Sequence, residues 1–246
     1  LGLLDILASN RPSQKVFEGL TFTPEEGKRG GRTIAICSDS DSWMNEYIPK
    51  LLLEWLVIRH QCVWVHSSAD LPGGDLCFYL SYGRIVDQLT REKYKNNLVV
   101  HASDLPNGRG WSPTSWMILK GKQSIPVTLL EVVKKVDAGP IYTQEWIELK
   151  STDLTDQWRA KLADATLRLV TDFVARFPES LNSAHCQEGE ATYYAKRCPK
   201  DSELDIDKSL RDQFNLLRIV DNDHYPAYFV YAEKKFVLQI LEENPE

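Results

Sequence analysis

Polar side chains that could do chemistry follow an apolar run near the middle of the chain. His101 and Ser103 come directly after the run Leu98–Val100, and Asp137 lies in the later turn Asp137-Ala-Gly139. A histidine takes up and releases protons near neutral pH, and a carboxylate beside it would favour the charged imidazole and orient the ring. These residue types suit the removal of a proton from a nucleophile, with Asp137 as the natural partner of His101.

A second polar segment follows another apolar run. Leu80-Ser-Tyr-Gly-Arg-Ile85 comes directly after the apolar residues 76–79. Parallel α/β sheets bind ligands outside the carboxyl ends of their strands, so polar residues that follow apolar runs are candidates for a ligand site. We therefore expect this segment and the segment 101–111 at the functional edge of a sheet.

Apolar runs alternate with helical spacing along the first half of the chain. The predicted strands are Thr33–Cys37, Gln61–His66, Asp75–Leu80 and Leu98–His101, and the predicted helices are Trp43–Arg59, Asp87–Tyr94 and Pro113–Lys120. This alternation predicts a parallel sheet, and strands that are apolar throughout indicate helices on both faces. The sequence predicts an α/β fold with a doubly wound, mostly parallel Rossmann-like sheet.

The second half of the chain predicts an extension of the sheet, one long helix and a small tail. The segments are β structure at Ile125–Val133 and Ile141–Leu149, a helix at Asp153–Phe177, a polar linker at Ser183–Glu190, a helix at Lys208–Val220 and a β-rich stretch at Ala227–Leu241. We therefore divide the chain into an N-terminal extension of unassigned role (1–31), a main domain (32–182), and a linker with a small C-terminal appendage of helix and β structure (183–246).

The composition disfavours several classes of protein. The chain carries 29 Lys and Arg against 35 Asp and Glu, a net charge of -6, so it lacks the basic excess that nucleic-acid partners require. The apolar stretches are too short to span a membrane, and Leu1–Ala8 contains Asp5 and does not look like a signal peptide. The 5 cysteines are dispersed, so we expect no disulfide framework, no metal and a reducing cytoplasm.

The motifs around His101 occur in the order and spacing of a known family. The motif parts are Val99-Val-His101-Ala-Ser103, Leu105-Pro106, Arg109-Gly110, Thr128 and Asp137-Ala-Gly139. Over about residues 76–149 the chain resembles the folate-dependent formyltransferases, which include glycinamide ribonucleotide, methionyl-tRNA and sugar-nucleotide formyltransferases. A second stretch, Ala191–Asp201, is similar to a motif of the sugar-nucleotide branch. The resemblance implies that residues 32–182 are a formyltransferase catalytic domain.

The resemblance also implies a reaction and the residues that perform it. A formyl group would pass from the co-substrate 10-formyltetrahydrofolate to the amine of a nucleotide-linked amino sugar, with His101 as general base and Asp137 as its support. The folate would contact Tyr82, Gly83, Arg84, Ile85, Val86 and Val136. The acceptor would contact Ser103, Arg109, Trp111, Tyr194, Lys196 and Arg197. Sugar nucleotide and folate are then the partners, and a homodimer stays open.

Simpler interpretations of several of these residues also stay open. Ser103 could cap the loop that follows it, and Gly83 could only permit a tight turn. Trp111 and Tyr194 belong to residue types that pack more often than they bind. The pair at 196 and 197 could be an exposed charge pair, although guanidinium groups match phosphate oxygens in bidentate fashion.

One position departs from the family motif. Val99 stands two residues before His101, where the family has an amide that would stabilise the oxyanion. Losing one such donor costs about 2.7–4 kcal/mol, so we expect a slower enzyme with a substitute donor. Asn97 shares the strand face of His101 but lies about 13 Å away at the rise of a strand, which makes it a poor replacement. Hydrolysis of formyl-tetrahydrofolate, a methionyl-tRNA or glycinamide ribonucleotide acceptor, and a folate-binding module with impaired catalysis remain the alternatives.

Overall fold

The computed structural model describes residues 21–22 and 31–243. The predicted N-terminal extension, residues 1–31, lies outside the described residues apart from 21–22 and 31, and its role stays a prediction. Among the described helices, none is long and apolar enough to cross a membrane.

The strands of the described chain form one large sheet and two small ones. In chain order they are β1 (Thr21–Phe22), β2 (Thr33–Cys37), β3 (Gln61–Val65), β4 (Gly74–Tyr79), β5 (Tyr94–His101), β6 (Arg109–Gly110), β7 (Ser124–Glu131), β8 (Ile141–Glu148), β9 (Tyr193–Tyr194), β10 (Ala227–Tyr231) and β11 (Lys234–Leu238). The large sheet has the order β1-β3-β2-β4-β5-β7-β8. β2 pairs in parallel with β3 and β4, and β4 pairs in parallel with β5. The predicted doubly wound, mainly parallel α/β fold is confirmed.

The inner strands of this sheet are apolar because both of their faces are covered. Residues 34–37 of β2 have no exposed surface, and Leu76, Cys77 and Phe78 of β4 have none either. A strand buried on both faces shows no alternation of polar and apolar residues, which is the pattern the sequence presented.

The described helices agree with the predicted ones in place but not always in length. They are α1 (Ile48–Val57), α2 (Gln88–Arg91), α3 (Pro113–Leu119), α4 (Thr155–Ala175) and α5 (Phe214–Leu217). The predicted helix at 43–59 divides into a 3-10 turn at Trp43–Glu46 and α1. Pro49 lies in the first turn of α1, where its missing N–H costs no helical hydrogen bond.

The predicted tail helix at Lys208–Val220 is wrong in extent, since only the four residues of α5 are helical. Polar side chains take up the backbone groups before α5. Gln213 Oε1 accepts from the Asp205 N–H at 2.7 Å, and Gln213 Nε2 donates to the Asp205 carbonyl at 2.9 Å. Side-chain bonds of this kind offer the backbone an alternative to a helix, and periodicity does not reveal them.

The chain divides into two compact units, each built from several stretches of sequence. Unit 1 comprises the residues up to Val100 together with Leu129–Thr143 and Leu167–Cys186. Unit 2 comprises His101–Thr128, Gln144–Thr166 and the residues from Gln187 onward. The predicted boundary between residues 182 and 183 stays a prediction.

In unit 2, a buried arginine joins the tail to the segment before α4. Arg218 is 1% exposed and donates to the carbonyls of Lys150 and Asp153 at 2.7 and 3.1 Å. The Thr155 hydroxyl in turn donates to the carbonyls of Arg218 and Val220 at 3.1 and 2.6 Å. Burial lowers the pKa of this guanidinium from its usual value, and the two carbonyls provide the hydrogen bonds that a buried charge requires. The tail is therefore part of the fold of unit 2.

Candidate active site

His101 is the last residue of β5 and lies in unit 2. Its side chain is buried, with 7% of its surface exposed. Nε2 of the ring lies 2.8 Å from the carbonyl oxygen of Gly108. A carbonyl can only accept, so this hydrogen bond requires a proton on Nε2 and leaves the lone pair of the neutral ring on Nδ1.

The backbone that follows His101 is held by side chains from β7 and β8. The Ser103 N–H donates to the His101 carbonyl at 2.9 Å, and the Thr128 hydroxyl donates to the Ser103 carbonyl at 2.8 Å. Gln144 Nε2 donates to Thr128 Oγ1 at 2.8 Å and to Asp104 Oδ1 at 3.3 Å. Gln144 was not identified from the sequence, because its place within strand β8 carries no signal of this contact. The arrangement fixes the turn that carries His101.

Ser103 itself is almost fully buried, and its hydroxyl is unusual. Its exposure is 1%, and Oγ has no hydrogen-bond partner among the residues that the structure describes. A buried hydroxyl without a partner costs about 1–3 kcal/mol, so such a group calls for a bound atom of substrate or water. The role of Ser103 in substrate binding stays a prediction, and this geometry is compatible with it.

Two glycines let the chain after Ser103 pack against the tail in unit 2. β6 pairs in parallel with β9, which aligns Arg109 with Tyr193 and Gly110 with Tyr194. Gly108 has φ +77°, and a Cβ at this position would lie 2.6 Å from Cε2 of Tyr194. Gly110 has φ +98°, and a Cβ there would lie 2.6 Å from the Tyr194 carbonyl. Both positions need glycine for conformation and for space.

Aromatic rings and lysines gather where β6 and β9 meet. We call Trp111, Trp116, Lys120, Tyr194 and Lys196 the aromatic–lysine cluster. The Tyr194 ring stacks on Trp116 at 6.0 Å between centroids. The Lys120 ammonium lies 4.6 Å from the centre of Tyr194, and the Lys196 ammonium lies 4.5 Å from the centre of Trp111. Trp111 keeps 40% of its surface exposed, so the cluster presents a ring and cations to solvent.

The two arginines predicted to contact the acceptor differ in their surroundings. Arg109 is 6% exposed and donates to Gln187 Oε1 through Nε at 3.2 Å and through Nη2 at 2.5 Å. Its fork is thus engaged by a side chain of the tail. Arg197 is half-buried, donates through Nη2 to the Asp201 carbonyl at 2.9 Å, and has its pKa lowered by burial. The buried Nε of Arg197 has no partner among the described residues.

In unit 1, the predicted folate segment is held by a carboxylate that sequence analysis did not single out. Asp39 follows β2, and its Oδ2 accepts from the Gly83 N–H at 2.9 Å. Arg84 Nε lies 3.8 Å from Asp39 Oδ1. The Tyr82 hydroxyl accepts from the Ser68 N–H at 3.2 Å. Asp39 therefore shapes the turn at Gly83, and its place directly after a predicted strand is the signal that could have identified it.

The apolar members of the predicted folate set are mixed in exposure. Ile85 is 80% exposed and Val136 is 49% exposed, so both side chains are accessible to a ligand. Val86 is 7% exposed, packs in the buried cluster of unit 1 with Cys37 and Tyr79, and accepts at its carbonyl from Arg91 at 2.5 Å. Cys37 belongs to that buried cluster, and burial raises the pKa of its thiol to about 12, which suits a buried small side chain. The side chain of Val86 thus lies in the core of unit 1.

Asp137 also lies in unit 1, in the turn between β7 and β8. It is half-buried with φ +51°, a conformation that Asp, Asn and Gly adopt more readily than other residues. Gly139 closes the same turn, where a Cβ would lie 1.9 Å from the Glu131 carbonyl. The turn requires glycine at position 139, and the catalytic role of Asp137 stays a prediction.

Asn97 is occupied within unit 1 and is no substitute for the amide absent at Val99. Its Oδ1 accepts from the Tyr79 hydroxyl at 3.2 Å, and its Nδ2 donates to the Arg91 carbonyl at 2.9 Å. With 5% of its surface exposed, the side chain is part of the core. The expectation that Asn97 is a poor replacement agrees with these contacts.

Comparison with known proteins gives a family match and several structures of similar fold. Residues 64–174 match the family described as formyl transferase, and this range contains His101, Ser103, Thr128 and Asp137. Among residues 21–22 and 31–243, no cluster of three or more His, Cys, Asp or Glu could hold a metal ion.

Three solved structures show how widely this fold is shared. Methionyl-tRNA formyltransferase from Clostridium thermocellum is 19% identical with a TM-score of 0.73, covering 86% of this chain and 94% of its own. A sugar N-formyltransferase from Shewanella sp is 14% identical with a TM-score of 0.65, covering 87% and 99%. HypX from Aquifex aeolicus, solved in complex with tetrahydrofolic acid, is 18% identical with a TM-score of 0.73, covering 86% of this chain and 38% of its own length. At these identities the likeness establishes the fold.

The contact of Gly108 with Tyr194 leads to a prediction about stability. We expect Gly108→Ala to lower the free energy of unfolding by about 1 kcal/mol more than Gly189→Ala, because only the first would displace Tyr194 from its stack on Trp116. Gly189 is the matched control, since it also has a positive φ but nothing within 4 Å of an added Cβ. Urea unfolding of both variants measures the difference, and equal losses would contradict the close approach.

Proposed function

We propose, from the formyl transferase domain that residues 64–174 form, that the protein transfers a formyl group from 10-formyltetrahydrofolate to the amine of a nucleotide-linked amino sugar. The observation that carries the proposal is the family match, because it spans the complete motif from His101 to Asp137. Tetrahydrofolic acid is bound in the HypX structure of the same fold, which supports folate as the donor here. The donor would contact Tyr82–Val86 and Val136.

In this reaction the acceptor nitrogen bonds to the formyl carbon, and the bond between that carbon and N10 of the folate breaks. The acceptor amine loses a proton, and N10 gains one as it leaves. His101 would carry this proton, since the Gly108 carbonyl engages Nε2 and the lone pair of the neutral ring lies on Nδ1. Asp137 would favour the charged ring once the proton is taken.

The oxyanion that forms during transfer needs a hydrogen-bond donor. With Val99 at the family's amide position, the buried hydroxyl of Ser103 is the best supported substitute within unit 2, because it is a donor without a partner among the described residues. A single hydroxyl replaces part of what an amide supplies, so the rate would be lower than with the amide present.

The choice of acceptor rests on charge and on the aromatic–lysine cluster. The fold does not separate the acceptors, because the methionyl-tRNA and sugar enzymes share it. A chain with a net charge of -6 offers little surface for the many phosphates of a tRNA. A sugar nucleotide needs one ring to stack on its base and a few cations near its diphosphate, and Trp111, Lys196 and Arg197 are groups of that kind.

An assay with a panel of acceptors tests the proposal as a whole. Formyl-tetrahydrofolate is incubated with the protein alone, with uridine- or thymidine-diphosphate amino sugars, and with methionyl-tRNA, while formylated product and free formate are measured separately. We expect formylated sugar nucleotide. Formate release without any acceptor would indicate the hydrolase, formylated tRNA the other branch, and folate binding without turnover an impaired module.

Removing the proposed base and its partner gives the first functional prediction. His101→Ala should lower kcat by about 10²–10⁴-fold, the usual contribution of a general base. Asp137→Asn should also lower kcat, and asparagine keeps the positive φ of that turn while removing the charge. His185→Ala is the control, because its side chain is exposed. Circular dichroism confirms folding, and a kcat for His101→Ala within a few fold of the parent would refute the mechanism.

Restoring the family's amide at position 99 gives the second functional prediction. Val99→Asn should raise kcat or leave it within a few fold, depending on how far another donor already serves the oxyanion. Val99 is half-buried at the end of β5, so an amide fits there at modest cost. Steady-state kinetics in the parent and in the Ser103→Ala background measure the effect. A large loss of kcat in a folded variant would contradict an oxyanion role for this position.

The proposed contact between Arg197 and the acceptor gives the third functional prediction. Arg197→Ala should raise KM for the sugar nucleotide by about 10-fold, the value of one charge-assisted hydrogen bond, and leave KM for the folate donor nearly unchanged. Lys200→Ala is the matched control, since Lys200 is an exposed cation three residues away. Equal weakening of both substrates, or the same effect from the control, would show that Arg197 does not contact the diphosphate.

A further inference from the structure

Thr192 forms hydrogen bonds with the backbone around Gly108, the residue whose carbonyl contacts the His101 ring. Its hydroxyl accepts from the Gly108 N–H at 2.8 Å, and its carbonyl accepts from the Arg109 N–H at 3.0 Å. The Gly108 carbonyl and the Arg109 N–H belong to one peptide group, and that carbonyl accepts from His101 Nε2 at 2.8 Å. Thr192 therefore bonds the N–H of Gly108 and the N–H of Arg109, on either side of the carbonyl that contacts the imidazole, and all four residues lie in unit 2.

We propose that Thr192 is a positioning residue for His101, acting through Gly108 on the protonation site of the imidazole. The two neutral forms of a histidine ring are set by the hydrogen bond that one nitrogen makes. Gly108, held by Thr192, fixes the proton on Nε2 and keeps the lone pair on Nδ1. The value of this placement for catalysis rests on the proposed function, since a general base must present its lone pair to the acceptor amine.

The hydroxyl of Thr192 has little to do for packing. Its side chain is exposed, so replacing the hydroxyl by a methyl group opens no cavity in the core. The neighbouring backbone is already paired, because β6 and β9 form a parallel ladder and the Thr192 N–H donates to the Pro106 carbonyl at 3.3 Å. Loss of the hydroxyl removes the acceptor of one N–H, and that N–H is in the residue that orients His101.

The strand that begins directly after Thr192, β9, belongs to the proposed acceptor site. Tyr194 stands two residues after Thr192 and stacks on Trp116 in the aromatic–lysine cluster. Peptide groups that donate and accept at once strengthen both bonds, so the Arg109 N–H bond to Thr192 also strengthens the Gly108 carbonyl as an acceptor. A ligand that holds β9 in place would therefore also hold the Gly108 carbonyl against His101 Nε2.

Nitrogen NMR of the imidazole in the intact protein without substrate tests the proposal. Thr192→Val removes the hydroxyl at constant shape, Thr192→Ser keeps it, and Thr166→Val is the control. Thr166 is a buried threonine of α4 whose hydroxyl donates to the Leu162 carbonyl. The signals of His101 are assigned by comparison with His101→Ala. We expect the Nε2-protonated form in the parent, in Thr192→Ser and in Thr166→Val, and a mixture with the Nδ1-protonated form in Thr192→Val.

Kinetics supply the second readout. Thr192→Val should lower kcat by about 3- to 10-fold, the value of one neutral hydrogen bond, with KM for the folate donor unchanged and with recovery in Thr192→Ser. A His101 spectrum unchanged in Thr192→Val, or a parent ring protonated on Nδ1, overturns the proposal. The NMR result needs no turnover. If the protein has no transferase activity, the proposed function is refuted, and a changed His101 spectrum in Thr192→Val still supports the role of Thr192.

Discussion

The close approach of residues 108–110 to residues 192–194 is the constraint on which the candidate site in unit 2 depends. It requires a positive φ at Gly108 and Gly110 and leaves no room for a side chain at either position. Because the two segments lie this close, the backbone of one pairs with the backbone of the other. In the first segment, the carbonyl of Gly108 lies 2.8 Å from His101 Nε2. The tail thereby becomes part of the surroundings of the proposed base.

Buried polar groups explain why the rest of unit 2 is built around this approach. Thr128 satisfies the carbonyl of Ser103, Gln144 in turn donates to the Thr128 hydroxyl, and Arg218 satisfies carbonyls before α4. An unsatisfied group in such surroundings costs more than a made hydrogen bond returns, so these contacts specify one arrangement of the loop. The hydroxyl of Ser103 is one of the buried groups without a partner among the described residues, and it lies two residues from the proposed base.

The fold and the acceptor are decided by different parts of the chain. Methionyl-tRNA and sugar formyltransferases share this fold at under 25% identity, so the sheet and its helices carry no information about the acceptor. Under the proposed function, the net charge and the aromatic–lysine cluster favour a sugar nucleotide over a tRNA, because phosphate recognition needs cations in proportion to the phosphates bound. In the proposed reaction, the departure at Val99 would affect the rate and the cluster would affect the choice of acceptor.

Local sequence was sufficient for the sheet and for the motif. Uninterrupted apolar runs predicted β2 and β4 because burial on both faces removes alternation, and the order His101, Ser103, Thr128 and Asp137 predicted the family because those residues recur at fixed spacing. Where a predicted helix is wrong in extent, the cause is a local side-chain contact that hydrophobic periodicity does not reveal. The helix expected at 208–220 is replaced by turns in which Gln213 binds the backbone of Asp205.

What the sequence by itself determined is the α/β class, the formyl transferase motif and the candidate base. Tertiary structure alone decided the partners of those residues. Arg109, expected at the acceptor, is buried against Gln187, and Val86 packs in the core. Gln144, which no motif marked, holds the loop after His101, and Thr192, which lies in the second motif, bonds the glycine beside His101, a contact that the motif did not indicate. The physical reason is distance along the chain: Arg109 and Gln187, or Gly108 and Thr192, are about eighty residues apart, and only folding brings a donor and an acceptor so separated within 3 Å of each other.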